Sequence, residues 1–218
     1  MSHGNGRMPR MVITVPLTIG FDLDLTLVDS AEGITVSMTE AFRQVGVVID
    51  PQQLLPMIGL PLDTTLRAFV PTDRVDEARE IYRALYPTMG IPGTKPLPGA
   101  VEAVDAIHAH HGTVLVVSAK IESAVRAVLA HVGLPVDDVV GERYAESKGA
   151  ALQERGADVY VGDHPGDMIG ARTAGAYAIG VTTGGHDAVA LREAGADVVF
   201  SDLLDFPYWL DDYVGTPT

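Results

Sequence analysis

The sequence predicts an α/β protein whose core is a Rossmann-like, mostly parallel sheet, interrupted once by an inserted α-helical cap domain. Short apolar runs alternate with helix-like segments along the chain, as expected of parallel strands joined by crossover helices. The first two clear strands, one ending near Asp22 and one covering Thr113–Val117, lie too far apart for a single crossover connection. The composition agrees, because 47% hydrophobic but only 6% aromatic residues favour a helix-covered sheet over an aromatic-rich β-sandwich.

The core elements follow from this alternation. Beyond the strand at 113–117, β-like runs predict strands at 158–161, 177–181 and 197–200. Helical periodicity predicts core helices at 99–110, 121–131, 147–155, 168–174 and 188–194.

The interruption contains four helical stretches, at 31–45, 51–55, 62–70 and 74–86. Pro and Gly at 92–93 and 96–99 indicate the return hinge, and residues 28–30 the outgoing hinge. We therefore expect a flexible leader at 1–16, a core at 17–29 and 97–218, and a helical cap at 30–96. An insert just after a candidate nucleophile is well placed to act as a lid.

Composition also excludes several classes of function. A net charge of -14 argues against nucleic acid, whose phosphates would be repelled over most of the surface. The absence of cysteine excludes disulfides, thiolate catalysis and Cys-based zinc sites. The polar, Gly-rich N-terminus and the short apolar run after it predict no membrane partner and a cytoplasmic location. The oligomeric state, monomer or homodimer, stays open.

Two carboxylates end the first apolar strand. Because strand side chains alternate between faces, Asp22 and Asp24 should project to the same side. Two like charges there require a cation or a proton. Mg²⁺ would keep Asp22 ionised and nucleophilic, and Asp24 could act as general acid and then base. The alternative is a strand end whose Asp residues cap a turn.

Three further features would complete a site for phosphoryl transfer. Ser118 follows the strand at 113–117, where its hydroxyl and nearby N–H groups could hold a phosphoryl oxygen or simply cap a helix. Lys148 begins a helix and could neutralise Asp22 and the phosphoryl group, or be a surface lysine. Asp163 and Asp167 follow another strand and could hold Mg²⁺, or serve as a helix cap and a first-turn acid.

In this order and spacing the residues resemble the haloacid dehalogenase superfamily, in its phosphatase branch, over essentially the whole chain after the leader. Residues 22–30 resemble the nucleophile motif, 117–120 the second motif, Lys148 the third and 161–168 the fourth. Residues 180–185 and 195–197 are most similar to the phosphoglycolate phosphatase-like subfamily, which carries a helical cap.

The resemblance implies that the protein hydrolyses a small phosphorylated metabolite in a Mg²⁺-dependent reaction. The substrate would be a phosphomonoester such as phosphoglycolate. Asp22 would become an aspartyl-phosphate, and Asp24 would protonate the leaving oxygen and later activate water. Thr26, Ser118 and Ala119 would shape the loop and contact the substrate.

The metal would be held by Asp22, by Asp163 and by the backbone carbonyl of Asp24, with Asp167 in support.

Two departures from the family pattern affect the substrate site. Leu25 stands where the subfamily usually has Gly, so we expect a larger side chain that narrows the pocket or alters closure.

The second departure is His164, which follows Asp163 and could add a substrate contact. Among the cations of the cap, Arg67 is the first choice for contacting a substrate carboxylate or second phosphate.

Other functions stay open. A phosphosugar mutase of the β-phosphoglucomutase type shares nearly all these motifs. A metal-free dehalogenase is disfavoured because Asp24 and the second acidic pair would lack a purpose. A receiver-type signalling module is disfavoured because Asp22 lies on the first strand. A non-catalytic phosphoacceptor or binding protein would be expected to lack an essential group, and none is missing.

Overall fold

The computed structural model describes residues 16–215, so the predicted leader lies outside the described residues except for residue 16. The strands are β1 (Thr18–Phe21), β2 (Val28–Asp29), β3 (Lys95–Pro96), β4 (Thr113–Val117), β5 (Asp138–Val140), β6 (Val159–Gly162), β7 (Tyr177–Val181) and β8 (Val198–Phe200). The α-helices are α1 (Ala31–Gln44), α2 (Leu62–Phe69), α3 (Val75–Met89), α4 (Ala100–Ala109), α5 (Glu122–Val132), α6 (Glu146–Glu154), α7 (Pro165–Ala174), α8 (Ala188–Glu193) and α9 (Phe206–Gly215). Short 3-10 helices cover Pro51–Met57, Thr72–Arg74 and Ile91–Gly93.

Six strands form the central sheet in the order β5-β4-β1-β6-β7-β8, and every pairing in it is parallel. The β1 strand lies in the middle, where Gly20 pairs with Leu115 of β4 and Tyr160 of β6. The central strands β1, β4 and β6 are mainly apolar and largely buried on both faces, as is typical of parallel sheets. The predicted α/β class with a Rossmann-like sheet is therefore confirmed.

Helices cover both faces of the sheet. Ile19 and Phe21 of β1 belong to a large apolar cluster with residues of α4, α5 and α9. Leu115, Val117 and Tyr160 face the opposite way and pack with residues of α6, α7 and α8. Because parallel strands end at the same edge, this arrangement brings the residues after β1, β4 and β6 together.

Between β2 and β3 the chain forms helices joined by short loops, and we call residues 30–94 the helical insert. Helix α1 packs closely against the end of α3. A Cβ on Gly33 of α1 would lie only 2.2 Å from the carbonyl oxygen of Gly90, the residue after α3, so only glycine fits there. The insert joins the core at the antiparallel β2–β3 pair, in which Val28 faces Pro96 and Asp29 faces Lys95. This pair lies at the segments expected to be the hinges, and the division into a core and a cap at 30–96 stays a prediction.

Several elements differ from the sequence-based expectation. Strand β5 was not predicted, because it is only three residues long and begins with an aspartate. Helix α9 was not predicted, because its sequence FPYWLDDYVG mixes aromatic residues, acids and a proline. Helix α7 begins at Pro165 rather than residue 168, because proline is favoured in a first turn. Within residues 16–215, no helix is both long and apolar enough to cross a membrane.

Candidate active site

Side chains predicted from separate motifs converge at the carboxyl edge of the sheet. Asp22 follows β1, Ser118 follows β4 and Asp163 follows β6. Lys148 projects from α6, and Asp167 lies in the first turn of α7. All five side chains are buried, so their charges have little water to screen them.

Three carboxylates form an acidic cluster, which consists of Asp22, Asp163 and Asp167. One oxygen from each lies within 4.8 Å of the others. Lys148 Nζ donates to Asp22 Oδ1 at 2.8 Å and to Asp167 Oδ1 at 2.5 Å. Thr26 Oγ1 donates to Asp163 Oδ1 at 2.9 Å. Lys148 therefore contacts two of the three buried carboxylates, and its single positive charge is set against all three.

This imbalance of charge is reflected in the pKa values of the cluster. Burial raises the pKa of Asp22 to about 7, and the ammonium of Lys148 only partly opposes the rise. Burial and the neighbouring carboxylates of Asp167 and Asp22 raise the pKa of Asp163 well above its usual range. A cation bound among these oxygens would stabilise the ionised carboxylates and would take the place of the bound protons. An all-oxygen, carboxylate-rich donor set is what Mg²⁺ prefers, so the cluster fits the predicted metal.

Asp24 has partners of its own, separate from the acidic cluster. Ser30 Oγ donates to Asp24 Oδ1 at 2.6 Å, and Lys120 Nζ lies 3.2 Å from Asp24 Oδ2. Burial disfavours the charge on Lys120, but Asp24, Tyr86 and Tyr82 together outweigh this effect and raise the pKa of Lys120. The predicted metal ligand of Asp24 is its backbone carbonyl, and that role stays a prediction.

Lys120 is a site residue that our sequence reasoning missed. Its Nζ lies 4.3 Å from the ring centroid of Tyr86 in α3, within the range of a cation–π contact. Its position two residues after Ser118, inside the second motif, was the available signal. Lys120 therefore connects the general acid/base candidate of the core with the helical insert.

A cavity of about 540 Å³ opens over Asp22 and Asp24 and is lined by both the core and the helical insert. Ser118 and Ala119 line it beside these two carboxylates. Ser118 Oγ accepts a hydrogen bond from Lys120 N at 3.3 Å, which leaves its hydroxyl proton for another acceptor. The two residues therefore lie where the sequence analysis placed a phosphoryl group.

Arg67 is not brought to this cavity. It lies on an exposed position of α2 and is not among the residues of the wall, because the buried face of α2 carries Thr65 and Leu66. Arg83 of α3 lines the cavity instead, and its nearest Nη lies 3.7 Å from Glu142 Oε1.

His164 lies beside the acidic cluster rather than in the cavity wall. Its Nδ1 accepts a hydrogen bond from Gly166 N at 2.9 Å, and its ring meets that of His186 edge-on at 4.6 Å. Burial lowers the pKa of His164. These contacts describe a capping residue of α7, and contact with a substrate stays a prediction.

Leu25 adopts a left-handed backbone conformation with φ of 60°, which explains why glycine is usual at this position in the subfamily. Its carbonyl oxygen accepts a hydrogen bond from Thr183 Oγ1 at 2.6 Å, and its side chain packs against the apolar core. Leu25 is not among the residues that line the cavity. Leu25 therefore does not narrow this cavity, and an effect on closure stays a prediction.

Comparison with known proteins places the chain in a family. Residues 19–181 match the family described as haloacid dehalogenase-like hydrolase. Because this match covers most of the chain, the protein belongs to the haloacid dehalogenase-like hydrolase family. The predicted superfamily and the hydrolase class are thereby confirmed.

Individual relatives agree with this assignment. The chain is 32% identical over 212 residues to a Dickeya dadantii protein named "Probable phosphatase IndB", covering 87% of this chain and 92% of the relative. It is 31% identical over 209 residues to a phosphoglycolate phosphatase of Agrobacterium fabrum, covering 86% and 88%. A haloacid dehalogenase-like hydrolase, SP0104 from Streptococcus pneumoniae, superposes with a TM-score of 0.79 at 25% identity, covering 89% of this chain and 98% of that protein.

Proposed function

We propose that this protein is a Mg²⁺-dependent phosphatase that hydrolyses a phosphomonoester through an aspartyl-phosphate on Asp22. The observation that carries the proposal is the acidic cluster around Lys148, with Asp22 also lining the cavity. The phosphatase names of two relatives support the same class of reaction. Phosphoglycolate, the substrate in one of those names, is the reference substrate.

In the first half of the reaction, a carboxylate oxygen of Asp22 attacks phosphorus and the bond to the leaving oxygen breaks. Asp24 gives its proton to that oxygen, so the product leaves as a neutral alcohol. Lys148 holds Asp22 in position through its 2.8 Å hydrogen bond. The hydroxyl of Ser118 and the backbone at Ala119 are placed to hold phosphoryl oxygens.

In the second half, Asp24 accepts a proton from water, the water oxygen attacks phosphorus, and the bond to Asp22 breaks. Phosphate leaves, and Asp22 is regenerated as a carboxylate. Ser30 and Lys120 hold the carboxylate of Asp24 in position through contacts of 2.6 Å and 3.2 Å. The proton that Asp24 takes from water restores its acid form for the next cycle.

Mg²⁺, which Asp22, Asp163 and Asp167 would hold, would neutralise the phosphoryl oxygens while the carboxylate attacks. Thr26 and Lys148 would fix the orientation of these ligands through their hydrogen bonds to Asp163, Asp22 and Asp167. This arrangement allows an anionic nucleophile to approach an anionic substrate.

The test is hydrolysis of 4-nitrophenyl phosphate with Mg²⁺ and with a chelator. We expect metal-dependent release of phosphate that Asp22→Asn lowers by on the order of 10³-fold or more. Asp29→Asn is the matched control, because Asp29 is an exposed aspartate in the adjoining β2 strand. Turnover that survives in Asp22→Asn would contradict the proposal.

A further inference from the structure

The cavity over Asp22 and Asp24 is walled mainly by apolar side chains. The helical insert contributes aliphatic residues, Met38, Leu54, Met57, Ile58 and Leu60. The core contributes Ile121 and Ala124 from the start of α5. A volume of about 540 Å³ is that of a pocket for a ligand of roughly drug size, well beyond a two-carbon acid.

The charged groups around the cavity already have partners within the protein. Asp63 accepts a hydrogen bond from Arg79 Nε at 2.6 Å. Arg83 faces Glu142 at 3.7 Å, and Arg143 donates to the carbonyl oxygen of Glu142 at 3.2 Å. A substrate carboxylate would therefore compete with Glu142 for Arg83. A small acid such as glycolate would find only Arg143, at an exposed position, without a carboxylate partner in the described residues, and it would leave much of the apolar wall unfilled.

Two wall residues have a buried polar atom without a hydrogen-bond partner among the described residues 16–215, namely Arg83 at Nε and Tyr86 at its hydroxyl. Both atoms are closed to water, so they offer a ligand in the cavity no accessible polar contact. The surface that faces a ligand is therefore mainly apolar.

We propose that the preferred substrate is the phosphate monoester of a bulky alcohol with a largely apolar ring or branched body. The substrate class rests on the proposed function, because the phosphate is placed at Asp22 and the alcohol in the cavity. Each methylene buried against the wall should raise kcat/KM about three- to fourfold, since its transfer from water favours the bound transition state.

The experiment compares primary alkyl phosphates with similar leaving groups, in the presence of Mg²⁺. Ethyl, butyl, hexyl and cyclohexylmethyl phosphate are compared with phosphoglycolate. We expect kcat/KM to rise along the series until the cavity is filled, and cyclohexylmethyl phosphate to exceed phosphoglycolate by about tenfold or more.

Two matched variants test whether the wall causes the rise. Leu60→Ser should flatten the dependence on chain length, because Leu60 lines the cavity. Leu55→Ser is the control, because Leu55 belongs to the same insert but is 45% exposed and is not among the wall residues. Thermal unfolding of both variants separates loss of fold from loss of selectivity.

A flat series, or phosphoglycolate as the best ester, would overturn the substrate class while leaving the proposed function intact. If neither these esters nor 4-nitrophenyl phosphate is hydrolysed, the proposed function itself fails, and the substrate class fails with it.

Discussion

Lys148 Nζ donates a 2.8 Å hydrogen bond to Asp22 Oδ1, although the two residues are far apart in the chain. Lys148 lies in α6, and Asp22 directly follows β1. Both side chains are almost completely buried. The same ammonium also contacts Asp167, so it is the common partner of two members of the acidic cluster. Both the stability of the protein and the reactivity of the site should therefore depend on Lys148.

Lys148→Met should strongly destabilise the metal-free protein. Removing one partner of a buried ion pair leaves uncompensated charge and typically costs about 3–5 kcal/mol. Urea unfolding in chelator measures this change in the free energy of unfolding. Lys95→Met, at an exposed lysine of β3, is the control and should change little. A loss below about 1 kcal/mol for Lys148→Met would contradict the assigned role.

The stability of the metal-free protein should fall as pH rises through the weakly acidic range. The pKa of Asp22 rises from 3.8 to about 7 on folding. Between these values the folded state keeps a proton that the unfolded state has released, so the free energy of unfolding decreases with pH. Surface carboxylates such as Glu40, whose pKa is lowered to about 2, act in the opposite direction but only at more acidic pH.

Melting temperatures at about pH 5 and about pH 7.5, with and without Mg²⁺, measure this linkage. We expect the melting temperature in chelator to fall with pH, and Mg²⁺ to raise it by more at the higher pH. Asp22→Asn should weaken the pH dependence, because the amide does not titrate. A stabilisation by Mg²⁺ that is independent of pH would contradict the raised pKa of Asp22.

At position 25, glycine should give a more stable protein than alanine, which is the reverse of their usual order. At φ of 60° the backbone conformation of an L-residue is strained by about 1–2 kcal/mol, and glycine avoids this strain. Leu25→Ala and Leu25→Gly both lose the packing of the leucine, so their difference isolates the backbone term. In urea unfolding we expect Leu25→Gly to be the more stable by about 1 kcal/mol. An alanine variant of equal or greater stability would argue against strain at this position.

Glu142→Gln should shift selectivity toward acidic substrates. The substitution removes the negative charge that faces Arg83, with little change in shape. We expect the ratio of kcat/KM for phosphoglycolate to that for butyl phosphate to rise about two- to fivefold, the range of a partly exposed ion pair. Glu154→Gln, at an exposed glutamate of α6, is the control. An unchanged ratio would show that Glu142 does not compete for the substrate.

Much of the fold could be predicted because its main signals are local. Apolar runs such as Thr113–Val117 mark buried parallel strands, and the interruption of the core was visible from spacing alone. Strand β5 was missed because its three residues offer too little periodicity, and it is defined by pairing Asp138 with Leu115. Pairing between distant segments leaves no trace in a short run of sequence.

The site was predictable to the extent that strand ends carry its residues. Asp22, Ser118 and Asp163 follow three neighbouring strands, and the sheet order brings them together. The contact between Lys120 and Asp24 and the exposure of Arg67 depend on how side chains are oriented after folding, which residue type does not reveal. Lys148 was found because a cation at the start of a helix needs a nearby anion.

The central claim is that Asp22 carries the phosphoryl group during turnover. Borohydride added during turnover reduces an acyl phosphate, so it should convert Asp22 to homoserine, which mass spectrometry of peptides can locate. We predict homoserine at Asp22 only when both Mg²⁺ and a phosphate ester are present. Homoserine at Asp24, Asp163 or Asp167 instead, or hydrolysis with unmodified Asp22, would contradict the account.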